Sequence, residues 1–283
     1  MTSAANQNPN STVTVYFQNL TGTDLNHCSH LAKQPNVRGV LFDPAELFEG
    51  TPLGPWYQDQ QLQMSNSPDG TIPGFTSQNH ANAFRLALLY KHGGRYLDLD
   101  IITLANFDSL PRNSIGLEGG GCRLNNAAMF FDKEHPFILE YMNEFVAHFN
   151  NTLWGNQGPL RAEQTCEKLH CDATNSSRSS KCDNMTIVAA STFAPYRWKE
   201  LCGTDQPKVS MSLTDVDWEQ LLVEWSTPAQ KRRVWQGQRS VYSIHLYNHV
   251  CKLDNLTTVS APDGVTFFDR LMVSQCGTGW KEL

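Results

Sequence analysis

Two aspartates one residue apart, Asp98 and Asp100, are the residues whose type and spacing point most directly to chemistry. In an extended segment alternate side chains face the same way, so the pair is expected to present two carboxylates on one side while Leu99 points inward. Oxygen ligands suit Mg²⁺ or Mn²⁺, and such an ion can bridge both phosphates of a nucleotide diphosphate and neutralise a departing charge. An isolated Asp-x-Asp is usually a solvated strand end, because aspartate is mostly a surface residue. Here it follows an apolar helix, a double glycine and an aromatic, an order that places strand-end carboxylates in the crevice where α/β sheets bind nucleotides. Arg85 on that helix offers a planar, permanent charge fit for phosphate or sugar oxygens, or else a helix-surface salt bridge. His245, at the end of a late strand, is either structural or a donor to phosphate or a metal ligand.

The elements that must position these residues read as a single α/β domain. Polar residues 1–12 are expected to form a flexible tail ahead of a domain over 13–283. Strands are expected at Val13–Phe17 and Val37–Phe42, then a short helix at Asp43-Pro44-Ala45-Glu46 with the aspartate as cap and the proline in its first turn. Pro52–Pro73 is turn-rich and reads as an irregular excursion. A strongly apolar helix from Gln78 to about Lys91 stops at Gly93-Gly94 and hands over to strand segments Arg95–Leu97 and Ile101–Leu104 on either side of the acidic triplet. Ala127–Phe131 is a further apolar strand, Ile138 to Phe149 recur at helical spacing, Asp172–Ser180 is a surface loop, and Val241–Leu246 is the late strand.

The bulk composition narrows the function classes. The 283 residues are 40% hydrophobic and carry 14 Phe, 8 Tyr and 7 Trp, enough for a sizeable core. A net charge of -6, with no basic stripe beyond Lys231-Arg232-Arg233, argues against nucleic acid as a partner. The eight cysteines lack paired CxxC motifs or histidines at zinc-finger spacing and read as disulfides, with Cys171 and Cys182 placed to staple the loop between them. Six Asn-x-Ser/Thr sequons, at Asn10, Asn19, Asn150, Asn175, Asn184 and Asn255, agree with an oxidising secretory lumen. Yet Met1–Ser11 holds neither a signal core nor a spanning segment, so the expected address and anchor are absent from this chain.

The run Phe84 to Asp100 resembles the signature of glycosyltransferases with the DxD sugar-binding motif, and the chain is similar to the α-1,4-galactosyltransferase and α-1,4-N-acetylglucosaminyltransferase group from about Pro35 onward. Pro35–Tyr57, Asn125–Phe137, Trp154–Pro159, Phe193–Trp198 and Ile244–Asn248 carry the rest of the resemblance. It implies a GT-A-like, Rossmann-like domain that moves galactose or an N-acetylhexosamine from a UDP-sugar to a glycolipid or glycoprotein glycan with retention, using Mn²⁺ or Mg²⁺. Asp100 would ligate the metal, Asp98 the metal shell or the donor, and Arg85 donor oxygens, with His245 near the diphosphate as a possible third ligand. Asn156 and Gln157 are the polar candidates for sugar contacts, Asn125 a further one, and Trp154 either walls the cleft or belongs to the core. The family also implies a Golgi lumenal, type II membrane protein.

The chain departs from the pattern twice: Asn82 stands where the family commonly has aspartate, and the family's opening strand is not found. Two other readings therefore stand beside the transferase: a catalytically impaired sugar-binding relative, and a metal-dependent nucleotide hydrolase with water as acceptor.

Overall fold

A computed structural model describes residues 1–18, 34–118, 123–171, 180–182, 184–194 and 241–247. Outside them lie the Lys231-Arg232-Arg233 cluster, loop residues 172–179, the sequons at Asn19, Asn175 and Asn255, five of the cysteines (Cys28, Cys122, Cys202, Cys251, Cys276), Asn248, and all but the first two residues of Phe193–Trp198.

A mixed five-stranded sheet organises the molecule: β3 (Gly94–Leu97), β6 (Leu124–Phe131), β5 (Ser114–Leu117), β8 (Met185–Val188) and β7 (Ser180–Cys182), in that spatial order. β6 runs antiparallel to both neighbours, whereas β5 and β8 are parallel. All eight residues of β6 are buried. Successive side chains go to opposite faces: Met129 and Phe131 join the main core, and Ala128 and Phe130 join a smaller cluster with Ile101, Phe107 and Phe193. Burial on both faces explains the nearly unbroken apolar run of this strand.

Helices α4 (Thr76–His92), α5 (Pro136–Ala147) and α6 (Arg161–Lys168) supply the main core with Leu86, Leu89, Ile138, Tyr141, Phe145 and Ala162. A parallel pair, β1 (Val13–Phe17) with β2 (Val37–Leu41), precedes α2 (Pro44–Phe48), where Asp43 Oδ1 accepts the Ala45 N–H at 2.8 Å as expected of the cap. The helix expected before the double glycine ends where Gly93 takes a φ of 67°. A side chain there would put its Cβ 2.6 Å from the Lys133 backbone nitrogen, so the stop is steric as well as conformational.

Two expectations fail. The flexible tail is instead helix α1 (Thr2–Gln7), with Ser3, Ala4 and Ala5 buried. Its polar residues pair with the backbone of the domain: Ser3 Oγ accepts the Thr103 N–H at 3.1 Å, and Asn8 Oδ1 accepts that of Phe107 at 3.0 Å. The expected excursion over Pro52–Pro73 contains helix α3 (Leu53–Asn66), whose Leu53 and Trp56 enter the core beside Phe48 and Phe145. Tertiary packing of two large side chains fixes a segment with little amphipathic pattern.

Candidate metal centre

The Asp98-Leu99-Asp100 triplet is a turn, not the extended segment expected. Asp98 N–H still bonds to Ala127 O at 2.8 Å, prolonging the β3–β6 ladder by one residue, and the Ile101 N–H then closes back on Asp98 O at 3.1 Å. Leu99 sits at the corner and is 77% exposed, so it points to solvent rather than into the protein. Past the turn, β4 (Ile101–Thr103) leaves the main sheet and pairs antiparallel with β9 (Ser243–His245), Ile101 opposite His245. Leu246 N–H bonds to Asp100 O at 2.9 Å, which fixes His245 beside the turn although it lies 145 positions further along the chain than Asp100.

This pairing brings Asp98, Asp100 and His245 together: one ligand atom from each lies within 4.8 Å of the others. His245 Nε2 is 3.4 Å from Asp100 Oδ1, close to the roughly 3 Å between neighbouring ligands around a divalent ion with bonds near 2.1 Å. Two carboxylates and an imidazole are a donor set for Mn²⁺ or Mg²⁺, and the two carboxylate side chains stay 22% and 23% exposed. The residues present fit a divalent cation.

Asp98 is held from beneath. Its Oδ1 receives Arg85 Nη2 at 3.0 Å and the Tyr96 hydroxyl at 2.8 Å. Arg85 is buried, and its other nitrogens bond to Asn126 O at 2.7 Å and Ala81 O at 3.4 Å, with Cζ 5.0 Å from the Tyr96 ring centroid. Burial is the largest single influence and opposes the guanidinium charge, but Asp98, Tyr96, Tyr141 and Asp100 together outweigh it and hold the arginine above its ordinary value. Burial raises the Tyr96 phenol far above its ordinary value, so it stays a neutral donor. Arg85, expected at donor oxygens, is here engaged on Asp98 and on the Asn126 carbonyl.

The other expected residues divide. Asn125 lies beside the centre: its Oδ1 accepts the Ala127 N–H at 2.8 Å, which turns its amide nitrogen toward His245 Nδ1 at 3.4 Å. Asn82 lies one layer below, accepting from Asn126 Nδ2 at 2.9 Å. Asn156 and Gln157 are buried elsewhere, in a π-helical turn (Asn156–Leu160), and close the end of α5: Gln157 Nε2 donates to Phe145 O at 2.6 Å and Asn156 Nδ2 to His148 O at 3.3 Å. Gln157 is 0% exposed and Asn156 5%, and both amides bond within the fold. Trp154 stands at the surface against Phe75, outside the core.

Sequence reasoning passed over Tyr96, Asn126, Tyr141 and Glu118. Two asparagines inside an apolar strand were the available signal for Asn126, since a buried amide needs partners. Glu118, at the end of β5, feels the charges of His245 and Arg123, yet burial outweighs them and raises its carboxyl.

Comparisons with known proteins agree with this geometry. Residues 1–116 match the glycosyltransferase sugar-binding region containing the DXD motif, and residues 130–278 match the alpha 1,4-glycosyltransferase conserved region. The chain is 32% identical to human lactosylceramide 4-alpha-galactosyltransferase over 203 residues, 70% of this chain and 54% of that protein. It is 26% identical to human alpha-1,4-N-acetylglucosaminyltransferase over 224 residues, 78% of this chain and 55% of that one. The chain thus spans about half the length of the curated relatives it matches. Among solved structures, the PaToxG glycosyltransferase overlaps 59% of this chain and 60% of its own at 18% identity, with a TM-score of 0.46. With a DXD sugar-binding region ahead of the conserved region, the chain belongs to the alpha 1,4-glycosyltransferase family.

Proposed function

We propose that the chain is a retaining, UDP-sugar-dependent hexosyltransferase. It moves galactose, or an N-acetylhexosamine, to a terminal sugar hydroxyl of a glycolipid or glycoprotein glycan. The observation that carries this reading is the convergence of Asp98 and Asp100, in the region matched to the DXD family model, with His245, in the region matched to the alpha 1,4-glycosyltransferase conserved region. Asp98 and Asp100 would hold Mn²⁺ through carboxylate oxygens and His245 through a ring nitrogen. The bound ion would neutralise charge on the departing UDP. Arg85 and Tyr96 hold the Asp98 carboxylate in place. The Asn125 amide orients the His245 ring.

Asn82, whose missing charge favoured the impaired relative, is buried in a hydrogen-bonded layer where an amide is well matched. Its lack of charge is therefore no argument against turnover. A Golgi lumenal setting is supported by disulfide-bonded Cys171 and by exposed Asn10 and Asn184 in sequons. None of the described helices is long and apolar enough to cross a membrane.

Incubation with UDP-galactose, Mn²⁺ and a galactose-terminated glycolipid should release UDP and lengthen the acceptor by one hexose. Equal UDP release without acceptor would favour the hydrolase, and sugar binding without turnover the impaired relative.

A further inference from the structure

A chain of buried contacts leads from the candidate centre to the π-helical turn. Asp98 pairs with Arg85 Nη2 at 3.0 Å, and Arg85 Nη1 donates to Asn126 O at 2.7 Å. The Asn126 side chain donates to Asn82 Oδ1 at 2.9 Å and to the Tyr141 hydroxyl at 3.2 Å. That hydroxyl donates to Gly158 O at 2.6 Å and lies 3.3 Å from Gln157 O. Asn82, Arg85, Asn126, Tyr141 and Gly158 are all buried, which makes each link costly to break. Gly158 takes a non-helical φ of −101° and ψ of −114° inside the turn, and a Cβ on it would come 3.1 Å from Asn82 Oδ1 and 3.3 Å from the Asn126 amide. The turn therefore rests directly on the polar layer beneath Asp98.

We propose that Tyr141 is a positioning residue for the transfer reaction, its hydroxyl locking the Gly155–Leu160 turn against the layer that supports Asp98. The inference rests on the transferase reading. Leu153 and Trp154, 54% and 51% exposed, enter this turn from the surface side, with Trp154 braced on Phe75. An exposed aromatic and aliphatic pair at the entry to this turn suits the apolar face of an acceptor sugar ring. The lock sets where that pair stands relative to the donor. The tyrosine ring itself packs against Phe137 and would do so equally as phenylalanine, so the hydroxyl's contribution is separable from packing.

Tyr141→Phe tests this by amide hydrogen exchange together with steady-state kinetics. The expected result is at least about tenfold faster exchange over residues 155–161, with β6 and α4 unchanged. Mn²⁺-dependent UDP affinity should stay within about twofold, while the acceptor KM rises at least about fivefold at constant donor KM. Unchanged exchange in 155–161 would overturn the proposal. Equal acceleration across β6 and α4, or a loss confined to UDP affinity, would also overturn it by showing a general structural role. If the unaltered chain transfers no sugar, the transferase reading fails, and the exchange comparison still decides whether the lock exists.

Discussion

The Asp98–Asp100 turn and the Gly155–Leu160 turn are built from similar material: glycines before a short stretch carrying two polar side chains. They lie a few hydrogen bonds apart, yet their polar groups go in opposite directions. In the first, a buried arginine and a half-buried tyrosine satisfy one oxygen of Asp98 from below, and the carboxylates keep about a fifth of their surface exposed. In the second, Asn156 and Gln157 turn inward and satisfy the last carbonyls of α5, leaving no polar side chain for a ligand. Side-chain type does not separate a site from a scaffold. What separates them is whether the protein itself uses up the hydrogen-bonding capacity of the group.

Substitutions on the two sides should therefore behave differently. The largest effect is expected at Asp100, where Asp100→Ala should lower transfer by about a hundredfold or more and leave the unfolding midpoint nearly unchanged, as shown by kinetics beside thermal denaturation. Arg85→Met should do both kinds of damage. It strands Asp98 and removes a buried partner, lowering stability by about 2 to 3 kcal/mol in urea unfolding after allowance for the partial exposure of Asp98, and transfer falls as well. Gln157→Ala should cost about 1 to 2 kcal/mol through the orphaned Phe145 carbonyl while leaving the donor KM unchanged. A raised donor KM in that variant would mean that the inward orientation of Gln157 is not its working one.

The smallest expected effect concerns His80, which lies outside both turns. Burial holds its imidazole below the ordinary value of 6.5 among Trp56, Tyr57 and Phe84. The unfolded chain then takes up the proton first, so the stability from the neutral ring is complete above about pH 6.5 and is lost as pH falls below it. His80→Phe should flatten this decline between pH 7 and 5 in thermal unfolding, by under about 1 kcal/mol. A decline as steep as that of the unaltered chain would remove His80 from the account.

Much of the site could be read from the sequence because its parts are local. Gly93, Gly94, Asp98 and Asp100 lie close together in the chain, and the apolar residues of α4 and the run Ala127–Phe131 within β6 announce the elements that carry them. His245 was placed by resemblance, and the structure supplies the reason, a β4–β9 ladder that no local pattern encodes. The failures share a cause. Helices α1 and α3 owe their state to partners far away in the chain, Thr103 and Phe107 for α1 and Phe145 for α3, and the inward Asn156 and Gln157 to the end of α5, 8 and 12 positions earlier, so local polarity misreads them. The extended reading of Asp98–Asp100 failed because the chain changes partner at that point, from β6 along β3 to β9 along β4, and a turn is needed to make the change.

The central claim is that this turn, with His245, is a metal-dependent diphosphate site. Calorimetric titration of the chain with UDP, with and without Mn²⁺, and repeated on Asp100→Ala, tests it most directly. The account predicts saturable UDP binding in the presence of Mn²⁺, lost when the ion is withheld and lost in the variant. UDP binding of equal strength without metal, or an Asp100→Ala chain that binds like the original, would contradict it.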